Sequence, residues 1–281
     1  ECQHTVIDLF KKAKHPERIF VGICWQFDPL LDEDCFEHAP PYPEQVRSVS
    51  YHISETKGCC WARVEALKLR QGEDYVLQLD AHMRFVEGWD DIMIETLARC
   101  PGHKNALSTM PPAYLPPEEL QDCTDGVPVT YISKLWAYDG FQPLSLGGWI
   151  RKRENVEPGP ILNAIYTGNF LFAPARMFDE VPFDPYVFFR GEEPLYSLRL
   201  WTHGWDIYQP DKVVIYHYWK SPGRDEGGAA YKKNLDINAT NAPELSRQRV
   251  LHVMGLEKAK DPAALVEIEK YSAGTERSIE D

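Results

Sequence analysis

The run Tyr75–Leu79 (Tyr-Val-Leu-Gln-Leu) ends abruptly in Asp80, Ala81 and His82. An apolar, β-favouring stretch this short reads as a buried strand. In a strand, residues i and i+2 point to the same side, so a carboxylate oxygen at 80 and an imidazole nitrogen at 82 can grip one cation. Mixed oxygen and nitrogen ligation suits a borderline divalent ion such as Mn²⁺ better than a closed zinc site, which takes more Cys or His. Open α/β sheets bind ligands at the carboxyl ends of their strands, so the pair reads as a metal that holds a phosphate. A chance Asp-x-His triplet is the competing reading.

The pattern on either side sets the fold class. Residues 18–25 form a continuous apolar run that reads as a first buried strand, and 45–52 alternate as a second. Gly58 opens helical spacing over 59–69, and 88–100 reads as the next helix, ended by Pro101 and Gly102. Residues 105–110 are a further strand. This β-α-β-α-β alternation predicts an α/β protein with a parallel, Rossmann-like sheet. No Gly-x-Gly-x-x-Gly occurs, so a metal would have to do the work of a phosphate loop. Segments 111–128, rich in Pro and acid, and 145–160, with Gly147, Gly148 and the basic run Arg151, Lys152, Arg153, read as loops. Order resumes over 161–173; 193–201 reads as a helix and 211–219 as a last strand. From 258 onward the chain is charged, a surface helix or partly disordered tail. The expected division is a catalytic domain over 1–257 and a tail over 258–281.

Composition excludes several function classes. With 43% hydrophobic and 12% aromatic residues in 281, the chain has ample core for one large domain or two small ones. A net charge of −13 argues against a nucleic-acid partner. It also means that an anionic ligand needs positive charge supplied locally, which a metal does. No apolar run is long enough to span a bilayer and no signal peptide is visible. The chain begins at Glu1, which reads as trimmed, so an upstream anchor would be invisible. Seven cysteines, an odd number that includes the adjacent Cys59 and Cys60, read as reduced thiols of a cytosolic protein rather than a disulfide framework.

Two further clusters carry chemistry. Phe189, Arg190, Gly191, Glu192 and Glu193 place two carboxylates at a glycine turn ahead of an amphipathic helix, although acids in a first turn are also ordinary dipole chemistry. Tyr216, His217 and Tyr218 close the last strand, where a lone histidine is often structural. In this order, Asp-x-His, then Gly-Glu-Glu before a helix, then a strand ending in His, the chain resembles metal-dependent GT-A glycosyltransferases. The nearest likeness is to polypeptide α-N-acetylglucosaminyltransferases, including the Skp1-hydroxyproline enzymes. Residues 19–28 and the helix with Trp61, Ala62 and Arg63 carry it. More distantly the chain resembles the polypeptide N-acetylgalactosaminyltransferases. There Ser197, Arg199, Trp201, Gly204, Pro210 and His217 fill the places of a Ser-x-Arg-x-Trp helix and a Gly, Pro, His sequel. Phe189 and Arg190 stand where those enzymes have Trp and Gly, and Glu193 replaces Asn. The resemblance covers residues 19–256.

It implies a GT-A fold, a Rossmann-like mixed sheet flanked by helices. It also implies a retaining transferase that moves GlcNAc from UDP-GlcNAc to a polypeptide hydroxyl, with hydroxyproline of a Skp1-like protein as the expected acceptor. Asp80, His82 and His217 would hold Mn²⁺ or another divalent cation. Glu192 would bind the sugar hydroxyls, with Glu193 as runner-up, and either could serve as nucleophile in a double displacement. Arg63 and Asp28 are assigned to the uridine end. Asn169 lines the sugar pocket, or is simply a turn residue. Residues 111–128 and 145–160 would wall the acceptor groove, and Arg151, Lys152 and Arg153 would meet an acidic acceptor or form a plain solvated loop. The expected compartment is the cytoplasm, or the Golgi lumen if an anchor was trimmed. Alternatives are transfer of GalNAc or another sugar to Ser/Thr, and a non-catalytic nucleotide-sugar-binding module.

Overall fold

Strand β11 (Phe170–Pro174) is buried along nearly its whole length, and its side chains divide between two cores by simple alternation. Phe170 and Phe172 face one way, Leu171 and Ala173 the other. The computed structural model describes residues 2–30, 35–116, 119–123, 125–136, 142–219 and 241–279. Within them β11 lies inside a five-stranded mixed sheet ordered β10 (Ile161–Asn163), β12 (Asp206–Gln209), β5 (Asn105–Leu107), β11 and β3 (Tyr75–Leu79). The β12–β5 pair is parallel, and the other three pairs are antiparallel.

One face packs under α1 (Cys2–Lys12) and α3 (Trp89–Ala98), with Phe10, Trp89, Met93 and Leu107 in the core. The other packs under α2 (Cys59–Leu67), α4 (Ala175–Glu180) and α5 (Glu192–Thr202), where Met177, Tyr196, Leu200 and Trp205 are buried. Strands β1 (Val21–Phe27) and β2 (Val46–His52) pair in parallel over seven residues.

Several elements differ from expectation for identifiable reasons. Strand β3 is not fully buried, and Tyr75 is exposed, because β3 ends its sheet and pairs only with β11, antiparallel. The first strand starts at Val21 and is only half-buried, and Pro16 opens a 3-10 turn over residues 16–18 ahead of it. Segments 111–128 and 145–160 are not simple loops. They contain short strands β6 (Tyr114–Leu115) and β7 (Glu119–Leu120), and the ends of a long antiparallel pair, β8 (Gly126–Trp136) and β9 (Gln142–Lys152). Gly148 belongs to β9, where a Cβ would lie 3.2 Å from Met110, so close packing rather than turning explains that glycine. Residues 117, 118 and 124 of the expected loop lie outside the described residues.

Arg153 is exposed, and its guanidinium bonds the Asp211 carbonyl at 3.1 Å. The last strand is short, β13 (Ile215–His217), and pairs antiparallel with β4 (Met83–Phe85). Helix α6 (Ala242–Val253) follows. Beyond it the chain folds back through two 3-10 turns, held by Arg249 on the Ala264 carbonyl, Arg277 on Asp206 and Trp201 on the Ser278 carbonyl.

Candidate functional site

Strand β3 stops at Leu79, so Asp80, Ala81 and His82 form the bend into β4 rather than a continuing strand. The convergence therefore comes from pairing, not from strand alternation. His217 lies opposite Met83 in the β13–β4 ladder, which brings it beside His82 across 135 positions of sequence. The two Nε2 atoms stand 3.1 Å apart, and His217 Nε2 is 3.1 Å from Asp80 Oδ2, with His82 Nε2 at 3.7 Å from the same oxygen. All three donor atoms lie within 4.8 Å of one another. Backbone bonds hold the pair of histidines: Tyr218 N donates to the His82 carbonyl and His217 N to the Pro112 carbonyl. The Trp219 ring packs on the His217 ring with centroids 4.0 Å apart. His217 Nδ1 is buried with no partner among the described residues. Burial pushes the Asp80 carboxyl up, but the His217 hydrogen bond and the nearby charges of Arg63 and the histidines outweigh it and hold it below its usual value. A carboxylate and two imidazole nitrogens aimed at one point fit a divalent cation.

The second cluster gathers at the start of α5. Gly191, at φ 84°, turns the chain into the helix, so Glu192 and Glu193 fall in its first turn, where the helix dipole favours negative charge. Helix α2 meets this point because Cys59 N donates to the Phe188 carbonyl. Gly58, at φ 105°, leaves no room for a side chain there, since a Cβ would sit 2.1 Å from that carbonyl oxygen. One turn into α2, Arg63 forms an ion pair through Nη1 with Glu192 Oε2, and its Nη2 donates to the Gly168 carbonyl at 2.7 Å. The Cys59 and Cys60 thiols each donate to Glu192 Oε2 at 3.0 Å. Contact with Cys59, then burial, push the Cys60 thiol well above its usual range.

The turn at Gly168 and Asn169 joins the clusters. Gln78, two residues before Asp80 near the end of β3, donates to the Gly168 carbonyl at 2.8 Å. Gly168 N donates to Glu193 Oε1 at 2.9 Å, and a Cβ on Gly168 would lie 2.4 Å from Glu192 Oε1. Burial, followed by the charge of Glu192, raises the Glu193 carboxyl to about 7, against the Gly168 hydrogen bond. Asn169 is buried, and its Oδ1 has no partner among the described residues.

Of the expected site residues, Asp80, His82 and His217 meet at one point, and Arg63, Glu192, Glu193 and Asn169 meet around Gly168. Arg63 sits with Glu192 rather than with Asp28, whose carboxylate accepts a local bond from Leu30 N. Sequence reasoning passed over Gln78, Trp219 and the two thiols. Each had a signal: Gln78 and Asp80, like His217 and Trp219, are two positions apart, and Cys59 precedes Arg63 by one helical turn.

The family model described as glycosyltransferase (GlcNAc) matches residues 33–281. Among curated proteins no match is found. Among solved structures, the crystal structure of GalNAc-T7 with UDP, GalNAc and Mn²⁺ is similar, with a TM-score of 0.61, 13% identity and coverage of 96% of this chain and 51% of that one. The chain thus spans about half the length of that protein, and at this identity the likeness is one of fold, a GT-A α/β architecture.

Proposed function

The chain belongs to the glycosyltransferase (GlcNAc) family, and on that footing we propose that it transfers GlcNAc from UDP-GlcNAc, with retention, to a hydroxyl of a polypeptide. The observation that carries this reading is the convergence of Asp80, His82 and His217 close to the Gly168 turn that Glu192, Glu193 and Arg63 surround. Asp80, His82 and His217 would hold Mn²⁺ or another divalent cation, which when bound supplies positive charge against the donor diphosphate. The fold neighbour's complex with UDP and Mn²⁺ supports that choice of donor class and ion.

The chain's own residues take the rest. Glu192 hydrogen-bonds the sugar hydroxyls, and the Arg63 ion pair fixes its carboxylate in one orientation. Asn169 Oδ1, buried and without a partner among the described residues, is suited to accept a hydrogen bond from the sugar. Glu193, raised to about 7, exchanges a proton near neutral pH and is the second candidate for sugar contact or for nucleophile. Asp28 remains the candidate for the uridine end. The departing diphosphate takes the acceptor proton on the face it leaves, which retains configuration. The acceptor we favour is hydroxyproline of a Skp1-like protein in the cytoplasm, because its secondary hydroxyl sits on a rigid ring that a groove can orient at low entropic cost.

The test is a panel of UDP-sugars with and without Mn²⁺, offered with matched peptides bearing proline, hydroxyproline, serine or threonine. Turnover should be best with UDP-GlcNAc and hydroxyproline. Preference for UDP-GalNAc with serine or threonine would move the protein to the mucin-type, Golgi alternative. Binding of UDP-sugar without turnover would make it a binding module.

A further inference from the structure

We propose that Cys59, Cys60 and Glu192 form a second metal site, one that takes a thiophilic divalent cation such as Zn²⁺ or Cd²⁺, and that filling it closes the sugar pocket. The binding half stands on geometry alone; the closing half rests on the reading of Glu192 as a donor-sugar contact. One ligand atom from each of the three residues lies within 4.8 Å of the others. Both sulfurs already sit 3.0 Å from the same carboxylate oxygen. Thiolate ligands select soft or borderline ions, and the Asp80, His82 and His217 set has no sulfur, so a soft ion such as Cd²⁺ marks the Cys59–Cys60 site by its thiolate bonds.

The backbone is prepared for this. Cys59 and Cys60 are the first residues of α2, anchored by the Cys59 N bond to Phe188, so the sulfurs are held in place by a helix rather than a loop. Charge also balances. On binding, each thiol releases its proton to solvent, and the resulting pair of thiolates with the Glu192 carboxylate is neutralised by the cation together with the Arg63 guanidinium. Arg63 Nη1 also reaches Cys60 Sγ at 4.0 Å, so it competes with the ion for Glu192 Oε2 and Cys60 Sγ while its charge helps to balance the thiolates. Cys59 is partly accessible and Cys60 buried, so the ion enters past Cys59. Once bound, it draws Oε2 from Arg63 and turns the carboxylate away from the sugar.

Cd²⁺ titrated into the full chain, with Mn²⁺ in excess, reads the site through the ultraviolet thiolate-to-cadmium absorbance, to which the Asp80 cluster cannot contribute. Cys59→Ser, Cys60→Ser and Glu192→Gln should each weaken this binding by about tenfold or more. Cys2→Ser, at the thiol that lies beside Cys35, should leave it unchanged. Cys59 is the half-buried partner, so its serine variant keeps the test usable if the Cys60 variant does not fold. An absent band in the wild type, or a Cys59→Ser protein with the wild-type band and affinity, overturns the site and leaves the donor reading of Glu192 intact. Transfer assayed beside saturating Mn²⁺, with Cd²⁺ at the concentration that fills the thiolate band, should fall more in the wild type than in Cys59→Ser. A wild-type band with transfer untouched by the ion overturns the closing half and leaves the sugar role of Glu192 to be decided by the donor panel.

Discussion

The cluster around Asp80 and the cluster around Glu192 are both built of buried or half-buried ionisable groups, yet they differ in charge balance. Glu192 carries its own counter-ion, Arg63, and among the described residues it also accepts from the Cys59 and Cys60 thiols. Asp80 pairs, among the described residues, only with His82 and His217. Those rings face each other through Nε2, an arrangement that satisfies at most one proton between them. A balanced cluster can shape a pocket without help. An unbalanced one has donor atoms that a cation could complete. The contrast therefore predicts that damage to the first acts through structure, and damage to the second through metal-dependent chemistry.

The largest expected effect is on the unbalanced cluster. Chelation with EDTA should abolish transfer and Mn²⁺ should restore it, while Asp80→Ala should cost about a thousandfold or more, since the ion's charge is worth several kcal/mol to the leaving diphosphate. The fold should survive, because Asp80 lies in a bend and its side chain is about a third exposed, at 35%. Full activity in EDTA, or an Asp80→Ala protein that loses its thermal transition, would break the comparison.

The balanced cluster should behave in the opposite way. Arg63→Ala leaves Glu192 buried without its counter-charge, and denaturant unfolding should show a loss of about 3–5 kcal/mol. Replacing both Arg63 and Glu192 by apolar residues should recover much of that stability but no activity. Unchanged stability in Arg63→Ala would mean that the ion pair is not what orders the α2–α5 junction.

Glu193 gives the smallest and most graded effect. Its carboxyl stands at about 7 in the folded chain against 4.5 when unperturbed. Below about pH 4.5 both states hold the proton and nothing is lost. Between 4.5 and 7 the unfolded chain ionises while the folded one stays protonated, so stability falls as pH rises and the loss is complete above 7. Allowing for partial exposure, up to about 2 kcal/mol is expected, and Glu193→Gln should remove that slope. Parallel stability–pH curves for the two proteins would show that Glu193 is not held protonated.

Local signals carried much of this. The strands at 46–52, 75–79 and 105–107 and the helices α2, α3 and α5 follow from hydrophobic period and glycine punctuation, because each depends on neighbours within one or two turns. The hairpin partners β8 and β9 were not legible. Pro and acid at one end and two glycines in the other strand suggest loops, and only the partner strand and Met110 make those residues strand-compatible. Strands β4 and β12, three and four residues long, are held by their pairing with β13, β5 and β10 rather than marked by a pattern of their own.

By itself the sequence determined which chemistry is available: an Asp-x-His bend, paired acids at a helix start, an arginine one turn beyond two thiols, and a histidine two places before a tryptophan. These are short-range relations, fixed by spacing along the chain. Which of these groups meet was decided only by tertiary structure. Pairing of β13 with β4 set His217 beside His82, the edge position of β3 left Asp80 half open, and the docking of α2 against Phe188 gave Arg63 to Glu192 rather than to Asp28. Contacts across more than a hundred residues depend on register and packing summed over whole strands and helices, and no single stretch of sequence carries that sum.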